Sequence, residues 1–197
     1  MTGQELVYNL EKAGYFKFTD EDKLSFVRDT IIKHFNNEKE FMTEFSNTQP
    51  FPSYDLRFYD CADGEGLFEE GGVISLIKEM GAFWDKNHIK LSYSDDTYAG
   101  NFHSIIVNGR TYILAKGSSL MWGETIANFV EMINSELQVQ NSNERLYLMT
   151  NENEYMVFLT EAQYDILTAN LTLNKRPLTV SEWVTNKTNE LNRMINH

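Results

Sequence analysis

The spacing of apolar residues changes period several times along the chain, and each change marks an element. "ELVYNLEKAG" has a helical pattern that stops at Gly14. "TDEDKLSFVRDTIIKHF" predicts a second helix, with Thr19 placed to cap it and Leu24, Val27, Ile31 and Phe35 as its apolar stripe. "TEFSNTQPFPSY" (43–54) breaks the pattern with two prolines and reads as a loop. "DLRFY" (55–59) predicts a strand. "VISLIKEMGAFW" predicts a helix through Val73, Leu76, Ile77, Met80 and Trp84, and "IKLSYS" (89–94) another strand.

The strongest local signal is Asn108-Gly109 between two β-rich runs, a pair suited to a type I′ hairpin. That turn sets Val107 against Arg110, Ile105 against Tyr112 and His103 against Leu114. "ETIANFVEMINSEL" follows as a helix with Ile126, Phe129, Val130, Ile133 and Leu137 inward. "RLYLMT" and "YMVFLT" predict a second hairpin. The second of these runs is apolar throughout, which suits a central strand covered on both faces. Thr160 with Gln163 is a capping-box pair opening a short helix. A last helix, from about Thr179 to Asn196, has a thinner stripe of Trp183, Val184, Leu191 and Ile195.

The order predicts an α+β fold: a mixed or antiparallel sheet of about six strands with two β-hairpins, helices packed on it, extra N-terminal helices and a C-terminal helix. The expected organisation is one domain over 1–170, with a linker and helix over 171–197 docked on it.

Charge narrows the function classes. Asp and Glu number 29 against 17 Lys and Arg, a net charge of −12. Such a surface lacks the cations that meet phosphate, so neither nucleic acid nor an anionic membrane is an expected partner. A basic protein partner is compatible with it. The first residues lack a basic segment followed by an apolar core, so no signal peptide is expected and the expected location is cytoplasmic. A single cysteine, Cys61, excludes a disulfide within the chain and any cysteine-cluster metal site. His34, His88, His103 and His197 include no H-x-x-x-H pair, and no metal or cofactor is expected. No nucleotide-binding glycine motif and no G-x-S-x-G occurs.

One stretch raises catalysis. "HSIIVNGRTYILAKGSSLMWGE", downstream of Cys61, resembles the His-to-Trp-Gly part of the papain-like cysteine peptidases. The resemblance implies a cysteine hydrolase with Cys61 as nucleophile and His103 as base. The local chemistry points elsewhere. Asp60, Asp63, Glu65, Glu69 and Glu70 surround Cys61 in sequence, and negative charge opposes the thiolate. No Asn or Asp lies between Tyr112 and Trp122 to orient the histidine. His103 also shares a strand face with Ile105 and Val107, as a core-rim residue would.

The expected function is therefore an acidic protein-binding module without catalytic activity, of the immunity type or another bacterial inhibitor or adaptor. Asp60, Asp63, Glu65, Glu69 and Glu70 would steer the partner, and Trp122 would anchor it. The alternatives are the cysteine hydrolase and a structural subunit of a homo-oligomer.

Overall fold

In a computed structural model, residues 1–42, 54–60, 67, 69–117, 121–150 and 154–195 are described. In chain order they form α1 (Gly3–Lys12), α2 (Leu24–Glu38), β1 (Phe58–Asp60), α3 (Gly72–Glu79), α4 (Gly81–Lys86) and β2 (Tyr93–Ala99). Then come β3 (Phe102–Val107), β4 (Arg110–Lys116), α5 (Met121–Val139), β5 (Glu144–Thr150), β6 (Glu154–Thr160), α6 (Glu161–Thr168) and α7 (Val180–Ile195).

The fold is α+β, and its strands form two three-stranded antiparallel sheets. Two compact units divide the chain: residues 1–61 with 143–178, and residues 62–142 with 179–197. Among the described residues no helix is long and apolar enough to cross a membrane.

The first unit holds the sheet β1-β6-β5. β6 lies in the middle, and Tyr155 to Leu159 are all buried, as its unbroken apolar run predicts. α6 follows with the predicted capping box: Gln163 N–H donates to Thr160 Oγ1, and Thr160 N–H donates to the Gln163 side chain. α1 and α2 pack together, joined where Gly3 N–H donates to Asn36 Oδ1 at 2.6 Å. A Cβ on Gly3 would stand 2.7 Å from the Ile32 carbonyl oxygen, so glycine is what permits this approach. The predicted stripe of α2 is buried at Val27, Ile31 and Phe35, while Leu24 is half-buried. Thr19 does not cap α2. It bridges to Asp55 instead, and a short 3₁₀ turn (Glu21–Lys23) leads into the helix.

The second unit holds β2-β3-β4. Asn108 (φ 49°) and Gly109 (φ 74°) both take the left-handed conformation that a type I′ turn demands. Val107 pairs with Arg110 and Ile105 with Tyr112, as expected. The register then slips: Ser104 pairs with Ile113 and His103 with Ala115, leaving Leu114 as the extra residue of a bulge. The expected pairing of His103 with Leu114 is therefore not formed. Leu114 and Ala115 are both buried, which simple alternation would forbid.

The helix predicted over "VISLIKEMGAFW" is broken at Met80, ahead of Gly81, a poor helix former. Its stripe survives the break, with Val73, Leu76, Ile77, Met80 and Trp84 buried. β2 begins at Tyr93, later than expected, because side chains hold the preceding backbone. Gln140 binds both the N–H and the C=O of Lys90, and Asn108 Oδ1 accepts from Ser92 N–H. α5 buries Ile126, Phe129, Val130, Ile133 and Leu137 as predicted.

Candidate functional site

Cys61, Asp63 and Glu65 lie outside the described residues. Asp60, at the end of β1, is exposed, and so are Glu69 and Glu70 just before α3. His103 is the reverse, with no exposure at all.

The environment of His103 is built by two irregularities. β2 shifts register between Ser94 and Thr97, where Asp95 takes a φ of 53°. That bulge turns Asp96 inward, to 5% exposure. The second bulge, at Leu114, resets β4 opposite His103. Asp96 Oδ1 then lies 2.7 Å from His103 Nε2, and Asp96 Oδ2 accepts from Ile74 N–H at 2.9 Å. Ile74 is in the first turn of α3, where amides have no partner within the helix. One carboxylate thus ties together β2, β3 and α3.

The hydrogen bond to Asp96 places an imidazole proton on Nε2. Nδ1 is enclosed and has no hydrogen-bond partner. Tyr98 packs edge-on against the ring, with centroids 5.6 Å apart. A carboxylate orienting an imidazole is the arrangement a hydrolytic triad uses. The orienting residue sought between Tyr112 and Trp122 is supplied from β2, upstream of the histidine. With the ring wholly enclosed, the pair holds elements together.

The second unit also presents an accessible apolar site. Trp122, Ala127, Trp183, Val184, Lys187 and Leu191 line a groove of about 270 Å³ between α5 and α7. Trp183 forms its floor at 1% exposure, and Trp122 stands edge-on to it with centroids 6.1 Å apart. Trp122 is 38% exposed and Val184 44%, so two large apolar side chains at this groove meet solvent. The thin stripe read for α7 reflects this geometry. Among the described side chains of that stripe, Trp183 alone goes fully inward, while Val184 and Leu191 border the groove.

In the first unit a polar network missed in the sequence lies inside the fold. Arg57, with no exposure, donates two bonds to the Glu144 carboxylate, at 2.6 and 3.2 Å. It also donates to the carbonyls of Tyr15 and Phe158 at 2.7 and 2.9 Å. Lys17 adds a second cation, 2.9 Å from Glu144 Oε1. The guanidinium lies over the Phe18 ring at 4.5 Å. Arg57 in the otherwise strand-like "DLRFY" was the available signal. The strand forms only from Phe58, one residue after Arg57, but an arginine inside an apolar run still needs a buried acid, and Glu144 opens β5 as that acid.

Beside β5 and β6, Arg145, Tyr147, Tyr164 and Asp165 line a polar depression of about 590 Å³. Tyr147 and Tyr164 stack there at 4.3 Å, and burial pushes the Tyr147 hydroxyl up to about 12. Its lining mixes one base, Arg145, with two acids, Glu161 and Asp165.

No family model matches the chain, and no curated protein or solved structure is significantly similar to it.

Proposed function

We propose that the protein is an acidic protein-binding module without catalytic activity, of the immunity type, whose partner is a basic protein. The observation that carries this reading is the exposed Trp122 beside the apolar groove. Aromatic side chains at the margin of a pocket are the usual anchors of protein interfaces. Trp122 offers a large apolar surface, and the groove between α5 and α7 receives an apolar side chain of the partner. The charge supports the choice of a basic partner, because carboxylates outnumber basic side chains in both units. Asp60, Glu69 and Glu70 supply exposed carboxylates for steering, with Asp63 and Glu65 next to them in sequence.

The test is kinetic, made on the purified complex. Neutralising Asp60, Asp63, Glu65, Glu69 and Glu70 together should slow association, most strongly at low salt, and leave dissociation nearly unchanged. Trp122→Ala should act on dissociation instead, speeding it about tenfold or more. Association that ignores both salt and the neutralised residues would reject the steering role.

A further inference from the structure

We propose that His34, Glu38 and Glu40 form a binding site for a divalent transition-metal ion, with Zn²⁺ the occupant their chemistry fits best. This inference stands apart from the protein-binding reading, since it uses other residues and neither depends on the other.

His34 and Glu38 are one helical turn apart on the last turns of α2, so their side chains share a face. His34 Nδ1 is 3.4 Å from Glu38 Oε2. The helix ends at Lys39, which takes a φ of 53°, and this left-handed turn brings Glu40 back towards the same face. Ligand atoms of all three residues lie within 4.8 Å of one another, the one such trio among the described residues. Around a tetrahedral zinc with bonds of about 2.1 Å, neighbouring ligand atoms are about 3.4 Å apart. One of the three separations already has that value.

A second feature points to a ligand. Glu40 is only 5% exposed, and its Oε1 is enclosed without a hydrogen-bond partner. A buried carboxylate oxygen in that state carries a desolvation cost that a metal ion would offset. The surroundings agree. The Glu38 and Glu40 carboxylates converge on the same small space as the His34 ring. Lys175 places its Nζ 3.9 Å from Glu40 Oε2. It is a third exposed and free to swing out when an ion binds. One imidazole and two carboxylates suit zinc, and with three protein ligands a fourth position stays open to water.

The experiment is calorimetric titration of the full chain with zinc chloride. Wild type is compared with His34→Ala, Glu38→Gln, Glu40→Gln, Lys175→Met and, as a control, His88→Ala. One ion per chain is expected, weakened about tenfold or more in each of the three ligand variants. His88→Ala should bind as wild type does, and Lys175→Met more tightly, having lost the competing cation. Affinity should fall between pH 7 and pH 5.5, because the ligands must shed protons to bind. Circular dichroism checks each fold, and Glu38 is exposed enough that Glu38→Gln should fold normally. Absence of stoichiometric binding to wild type, or equal binding in folded Glu38→Gln and His34→Ala, would overturn the site.

Discussion

At the scale of single residues, the buried charges decide most. Arg57 and Glu144 each depend on the other for solvation, and removing one strands its partner in the interior. Arg57→Met should therefore cost about 3–5 kcal/mol of stability in urea unfolding. A loss below about 1 kcal/mol would mean that Glu144 finds water or Lys17 sufficient. Glu40 gives a test with a defined sign. Its carboxyl is raised in the folded state, so its contribution to stability is fully present below the unfolded value of 4.5 and is lost as pH rises through the folded value. In metal-free buffer, the stability of Glu40→Gln relative to wild type should increase as pH rises from 4 to 7. A flat difference would show that Glu40 is not strained. Little of this was legible in sequence. Arg57 and Glu144 are 87 positions apart, and Asp96 stands next to another acid, Asp95, with nothing local to mark it as buried. Local pattern marks a charged residue in an apolar run, but only the fold supplies its partner.

At the scale of elements, the sequence was read most successfully where local chemistry is specific. Asn108-Gly109 and Thr160 with Gln163 each encode one geometry, and both form as read. Gly109→Ala should cost about 1–2 kcal/mol, because a Cβ is unfavourable in the left-handed conformation. A cost near zero in thermal unfolding would mean that the turn rearranges to another type. The failures occur where tertiary contacts outweigh local pattern. β2 starts late because Gln140 and Asn108 hold the backbone that would have been strand. The bulge at Leu114 could not be read from alternation, since both Leu114 and Ala115 are apolar and either suits the core. The same slip determines which residue of β4 stands opposite His103. His34, Glu38 and Glu40 escaped notice for a related reason. A pair of histidines one turn apart is visible in sequence, whereas this trio needs the left-handed turn at Lys39 to assemble.

At the scale of the whole molecule, the sequence conveyed class and charge, and the strand count was right. It did not convey that the strands divide into two sheets, or that each unit is assembled from separate parts of the chain. Periodicity carries no information about which distant segments join. The negative charge belongs to both units and acts at long range, with the carboxylates from Asp60 to Glu70 as its proposed focus. Specific binding needs an anchor as well, and the account assigns that role to Trp122. The most direct measurement is site-specific photocrosslinking in the protein's own cells, with the reactive group at position 122 and, as a control, at Val139, a more open position on the same helix. One basic protein should be captured at 122 and not at 139, with capture reduced by high salt. No defined product at 122, or the same products at both positions, would contradict it.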